Sequence, residues 1–314
     1  MDIRRSLKED RLILESKQIF EDELRDRLNL TKTSAPLFVA KSSGLNDNLN
    51  GVEKPVSFQL NSVDQEIVHS LAKWKRWYLG IVKAEIGEGI VTDMKAIRAD
   101  EVISDIHSNL VDQWDWEKVI TKDQRSLSTL IEHGQEVFNA LKSAEKYTSL
   151  KSNSYTSLPD KLKIIHTEEL YRKYPELPAK DRENAISKQF GAVLLIGIGG
   201  KLSNGEIHDL RAPDYDDWST KNEDGFMGMN ADLIVWDSIQ ESSLEISSMG
   251  IRVDKNALET QLKLTNQEKR KELPFHKALL SGKLPYTIGG GIGQSRVAMF
   301  VNKKKRISDV QAIY

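Results

Sequence analysis

The chain has 314 residues, room for one large domain or two small ones with a substantial buried core. Its 45 basic and 47 acidic residues leave a formal charge of −2, so no global field draws it onto nucleic acid or an anionic membrane. It contains no cysteine, which excludes disulfides, thiolate metal sites and a thiol nucleophile.

The start, residues 1–11 (MDIRRSLKEDR), is too charged for a signal peptide, and no apolar run is long enough to span a bilayer. A cytoplasmic location is the expectation. Residues 12–28 place Leu12, Ile13, Ile19, Phe20, Leu24 and Leu28 at helical spacing and predict an amphipathic helix. Residues 31–40 (TKTSAPLFVA) are expected to be extended, with Pro36 confining that strand to an edge, a first position or an interface. A polar loop follows at 44–51, then strands at 56–60 and 66–70. The helix predicted at 71–79 (LAKWKRWYL) carries Lys73, Lys75 and Arg76 near its start. Cations there oppose the helix dipole, so they mark either an anionic partner or a solvated basic face.

Residues 87–98 predict a strand ending in Arg98, followed by a turn at 99–101. Residues 108–117 (SNLVDQWDWE) alternate, setting Gln113 and Asp115 on one face and Trp114 and Trp116 on the other. That pattern fits a ligand-facing floor, or a half-exposed strand with its tryptophans in the core. Helix is expected over 121–147, a serine-rich surface loop over 149–159, a short strand at 163–166, helix at 180–190 and a buried strand at 192–198 (AVLLIGI). The segment 211–218 (RAPDYDDW) is too charged to be core as written. Strands at 231–236 and 243–253 carry Asp232 and Glu245 as acids in apolar surroundings, where each needs a counter-ion or metal. Helices are expected at 255–264 and 267–280. In residues 287–296 (TIGGGIGQSR), Gly289, Gly290, Gly291 and Gly293 would let backbone N–H groups approach a large anion before a helix bearing Arg296; the alternative is a tight corner. The sum predicts an α+β fold on a mainly antiparallel sheet flanked by helices, with residues 1–314 forming one catalytic domain.

Three features occur in order: KAIRADE at 95–101, LEISSMGIR at 244–252 and GGGIGQSR at 289–296. Their order resembles the second and third signature motifs of class II aminoacyl-tRNA synthetases. With HSLAKWKR, VDQWDWE, GIGGKLS and RAPDYDDWST, the chain from about Glu15 to Gln311 is similar to the ammonia-dependent asparagine synthetases of that superfamily, whose members continue beyond the VQAIY at which this chain ends.

The resemblance implies a class II synthetase-type catalytic core and an ATP-dependent ligase. It would join L-aspartate and ammonia into L-asparagine through β-aspartyl-AMP, releasing pyrophosphate and AMP. Arg98 would take the α-phosphate and Arg296 the γ-phosphate of a bent ATP, with Glu101, Ser248, Gly291 and Gly293 nearby. Asp232 and Glu245 would hold Mg²⁺. Aspartate would lie among Asp47, Lys75, Gln113, Asp115, Arg211 and Asp216, with Asp47, Asp115 or Asp216 relieving ammonium of a proton and Asp216 favoured over Asp214 and Asp217 as the ligand-facing acid. A homodimer is implied, with the Pro36 strand and the first helix at its contact. Without a cysteine, glutamine is not the expected nitrogen donor. The competing readings are an aspartyl- or asparaginyl-tRNA synthetase core and a non-catalytic aspartate-binding relative.

Overall fold

The computed structural model describes residues 5–47 and 53–312. Parts of three expectations lie outside these residues: positions 1–4 of the charged start, 48–51 of the polar loop and the last two residues of the tail.

A polar/apolar alternation along successive strands organises the architecture. An eight-stranded sheet runs in the order β1-β5-β6-β11-β10-β9-β8-β7, and a separate three-stranded sheet in the order β2-β4-β3. The strands of the large sheet are β1 (Leu30–Lys32), β5 (Gly89–Ile97), β6 (Leu110–Val119), β7 (Lys163–His166), β8 (Ala192–Ile196), β9 (Asn230–Asp237), β10 (Ser242–Ile251) and β11 (Thr287–Gly293); β2 (Phe38–Ala40), β3 (Ser57–Leu60) and β4 (Val63–Ile67) form the small one. From β5 to β8 every pairing is antiparallel. Both edges are parallel, β1 with β5 and β7 with β8. The expected mainly antiparallel sheet is therefore a mixed one, because the chain passes from β1 to β5 through the small sheet and a helix, and from β7 to β8 through two helices.

One face is dry. Trp114 and Trp116 from β6, Ile288 and Ile292 from β11, Met249 and Ile251 from β10, and Ala231 and Leu233 from β9 join a single core with helices α1 (Leu7–Leu28), α3 (Leu127–Ser152) and α8 (Gln294–Val301). Phe20 of α1 stacks on Trp114 with ring centroids 4.7 Å apart. On the opposite face, α5 (Ala179–Phe190) covers the β7–β9 side, and a cluster from α2 (Ala72–Ile81) and its neighbours covers β5. The central strip between them is polar.

Several predicted boundaries shift for identifiable reasons. The extended stretch around Pro36 divides into β1 and β2, which join different sheets, with the proline between them. The strand expected at 66–70 is β4 at Val63–Ile67. Helix α3 begins only after its N-cap Ser126 and runs on to Ser152, so the surface loop placed at 149–159 loses its first four positions to the helix. The helix expected over 267–280 is interrupted: a 3-10 turn at Glu268–Glu272 precedes α7 (Pro274–Leu280), whose first position is the proline.

The glycine-rich stretch is the largest correction. It is neither a loop nor a corner but β11, hydrogen-bonded on both sides to β6 and β10, so its backbone is committed to the ladder. Glycine is required there because neighbours occupy the space a side chain would take. A Cβ on Gly289 would collide with Glu117 Oε2 and approach Arg252 Nη2 to 2.6 Å; one on Gly290 would meet Ser248 O at 2.7 Å. Gly289→Ala should therefore lower unfolding stability by about 3 kcal/mol, in the range of overpacked cores, as read by urea denaturation. A shift under about 0.5 kcal/mol would show that the strip has room to spare.

Candidate active site

The alternation of β6 and β11 places Gln113, Asp115 and Glu117 opposite Gly293, Gly291 and Gly289. One transverse row then runs Thr92, Asp115, Gly291, Ser248, Asp232 across β5, β6, β11, β10 and β9. Above this strip lies a cleft of about 320 Å³, lined by Lys75, Arg98, Glu101, Gln113, Asp115, Arg211, Asp216, Glu245, Ser248, Gly291, Gly293 and Arg296 among others. These are twelve of the fourteen expected site residues. The other two, Asp47 and Asp232, are buried and are not part of the lining.

On the β6 side, charges are held in pairs. Lys75 is fully buried; its ammonium donates to Asp115 Oδ1 at 2.7 Å and to the Gly290 carbonyl at 3.0 Å. Burial lowers its proton affinity, and the carboxylate of Asp115 opposes that pull. The basic residues of α2 are thus no solvated face. Lys73 pairs with Asp214 at 3.2 Å, and the Arg76 guanidinium donates to the carbonyls of Pro285 and Val253.

Arg252, at the end of β10, binds Glu117 through Nε and Nη2 and Asp216 through Nη1. Burial alone would lower its pKa, but these two carboxylates raise it instead. Asp216 is pushed up by burial against the pull of Arg252 and Arg211.

Contrary to expectation, RAPDYDDW is core: Ala212, Asp214, Asp216, Asp217 and Trp218 are all buried. Each aspartate has its own partners. Asp214 is held by Lys73, Arg270 at 2.8 Å and His276 at 3.0 Å, which keep it well below the usual carboxylate range despite burial. Asp217 is bound by Arg125 at 2.8 Å and by Thr220. Only Asp216 of the three lines the cleft.

On the other side, Arg211 ion-pairs with Asp232 and, at 2.9 Å, with Asp209. Arg98 and Arg296 are partly exposed and loosely paired, Arg98 with Glu101 at 3.9 Å and Arg296 with the Glu245 carboxylate at 3.8 Å. Arg296 Nη1 also donates to the Glu245 backbone carbonyl at 3.0 Å. Burial and nearby Glu245 push Asp232 up to about 7, against the opposing pull of Arg211. Its Oδ1 is buried and accepts no hydrogen bond among the described residues. Two neighbouring carboxylates, one with an unused oxygen, fit a hard divalent cation. No group of three acids or histidines suits a metal among the described residues, so the remaining ligands would come from phosphate and water, as Mg²⁺ prefers.

Residue type and spacing do not single out Arg252 and Glu117 as part of the site. Arg252 and Glu117 stand inside quoted motifs, and a charge ending an otherwise apolar strand was the available signal. Their roles depend on β6 and β10 flanking the same glycine strand, which no local pattern reveals.

The raised carboxyl of Asp232 has a measurable consequence. Its folded pKa lies above the unfolded value of about 3.9, so the native state keeps a proton that the unfolded chain has lost, and this group's contribution to stability declines as pH rises from about 4 to 7. In metal-free buffer, the stability of wild type relative to Asp232→Asn should fall across that window in urea titrations. A flat difference would mean that Arg211 keeps the carboxylate ionised throughout.

The sequence profile of the aspartate–ammonia ligase family matches residues 7–314. The chain is 52% identical over 304 residues to an aspartate–ammonia ligase of Clostridium perfringens, covering 96% of this chain and 88% of that protein. It is 50% identical over 300 residues to one from Parabacteroides distasonis, covering 94% and 87%. Among solved structures, the asparaginyl-tRNA synthetase of Pyrococcus horikoshii complexed with asparaginyl-adenylate superposes with a TM-score of 0.69 at 12% identity, over 97% of this chain and 68% of that one. That likeness is one of fold. With the family profile spanning nearly every residue and half the positions identical to its members, the chain belongs to the aspartate–ammonia ligase family.

Proposed function

We propose that this chain is an ATP-dependent ligase that makes L-asparagine from L-aspartate and ammonia through β-aspartyl-AMP. The observation that carries the reading is one cleft in which paired charges of both signs lie beside two partly exposed arginines. Aspartate brings one ammonium and two carboxylates, and its pocket needs both signs. Lys75, Gln113 and Arg211 supply donors for the carboxylates, while Asp47, Asp115 and Asp216 accept from the α-amino group. Arg252, gripped by Glu117 and Asp216, adds a fixed positive charge to the same wall.

In the first step the side-chain carboxylate attacks the α-phosphorus of ATP. Two anions repel, so Arg98 neutralises the α-phosphate and Arg296 the γ-phosphate, holding the nucleotide bent. Glu101 and Ser248 complete the nucleotide side, and Gly291 and Gly293 leave it room. Asp232 and Glu245 would hold Mg²⁺, which when bound would supply neutralising charge to the phosphates. In the second step ammonia displaces AMP. The synthetase from Pyrococcus horikoshii, alike in fold, holds an aminoacyl-adenylate, which suits this scheme.

Residues 1–314 act as one catalytic unit, working in the cytoplasm as a homodimer without nucleic acid or membrane. Among the described residues no helix is long and apolar enough to cross a membrane. Sedimentation of the active protein should give a dimer; a stable, active monomer would remove that part of the proposal.

Incubation with ATP, Mg²⁺, aspartate and ammonium should yield asparagine, AMP and pyrophosphate. Activation that turns over only with tRNA would point to a tRNA synthetase, and no activation to a silent aspartate-binding relative. Arg98→Ala should cut aspartate-dependent pyrophosphate exchange by about 10²–10³-fold with an unchanged circular-dichroism spectrum. Undiminished exchange would take Arg98 off the α-phosphate.

A further inference from the structure

His69 has no part in the scheme above, yet it lines the cleft. It lies between β4 and α2, 1% exposed, and its backbone N–H donates to Asn46 Oδ1 at 2.8 Å. The chain has six histidines. Five have a ring nitrogen engaged: His107 with Ser104, His133 with Thr129, His166 with Met227, His208 with Glu183 and His276 with Asp214. At His69 neither ring nitrogen makes a hydrogen bond of good geometry among the described residues; the Ile97 backbone lies near enough to engage one of them, which leaves the other open.

A buried polar atom left without a partner is costly, and such an atom in a cleft wall points to a ligand that completes it. The charges of Asp47, of Glu53 ahead of β3 and of Arg98 beyond the end of β5 act on the ring. Burial favours the neutral imidazole, with one nitrogen able to accept a proton. Two of these neighbours are the acid proposed for the α-amino group of aspartate and the arginine proposed for the α-phosphate. The acyl–phosphate link joins those two parts of the substrate.

Resting on the proposed reaction, we propose that His69 is the base that takes the proton from ammonium in the second step. Ammonium gives one proton to the free ring nitrogen and keeps the lone pair as ammonia. That lone pair forms the new N–C bond at the side-chain carbonyl carbon, the bond from this carbon to the phosphate oxygen breaks, and AMP leaves with its electrons. The surplus proton on the new amide nitrogen passes to water. No oxidant or reductant is involved.

The test compares His69→Gln and His69→Asn with wild type in three assays: aspartate-dependent pyrophosphate exchange, asparagine formation from ammonium, and aspartyl hydroxamate formation from hydroxylamine. Hydroxylamine is largely unprotonated at neutral pH and needs no base before it attacks. Exchange should stay within about threefold of wild type, and hydroxamate formation should fall far less than amination by ammonium, which should drop by about 10²–10⁴-fold at neutral pH and recover as pH rises and free ammonia accumulates. An equal fall with both nucleophiles would make His69 a positioning residue for the acyl phosphate. A matching fall in exchange would assign it to activation or folding, and unchanged amination would remove it from the reaction; each of these overturns the proposal. If wild type itself makes no asparagine, the underlying reaction fails, and not the role of this ring.

Discussion

The contact on which the rest of the site depends is the double ion pair that Arg252 makes with Glu117 and Asp216. All three side chains are buried. Removing such charges from water costs several kcal/mol per ion, repaid only when geometry and counter-charge are both good. Here Arg252 supplies Nε, Nη1 and Nη2 to two carboxylates at once. Without it, Glu117 would be stranded in the sheet and Asp216 would keep only its backbone bridge to residue 252. For stability alone, apolar side chains would serve as well. A fixed arrangement of charge prepared for a zwitterionic ligand is what they could not supply.

That arrangement needs space in the plane of the sheet, and β11 provides it. Gly289, Gly291 and Gly293 stand opposite Glu117, Asp115 and Gln113, so three successive positions on the cleft face carry no side chain. The glycine strand and the polar strand beside it are two halves of one device. The other face of the same strands is filled by Ile288, Ile292, Trp114 and Trp116, which tie the strip to the core under α1, α3 and α8. Catalytic geometry and packing thus share the same four or five residues of each strand, and the floor of the cleft is as rigid as the core beneath it.

The two sides of the cleft differ in how tightly their charges are held. Lys75, Asp115, Arg252 and Asp216 are buried and closely paired, which suits recognition of a small charged amino acid that must be oriented. Arg98 and Arg296 keep pairs of 3.8 to 3.9 Å with half-exposed acids. Loose pairing of this kind is worth little, and Arg296 has in addition a hydrogen bond to the Glu245 carbonyl at 3.0 Å.

Much of this was legible from residues alone. Alternation in SNLVDQWDWE separates the tryptophan face from the polar face, because side chains of a strand point to opposite sides at every step. The helical spacing of α1, the apolar run of β8 and the motif strings that point to the family are equally local. What tertiary structure decided is pairing. TIGGGIG has the composition of a turn, and only its two neighbours, β6 and β10, make it a strand. Asp214, Asp216 and Asp217 are indistinguishable along the chain and acquire different partners because Lys73, Arg252 and Arg125 arrive from distant segments. Residue type and spacing express what a segment can do by itself. Whether a carboxylate is buried, paired or facing a ligand depends on the charge brought against it from elsewhere, and that is a property of the folded arrangement.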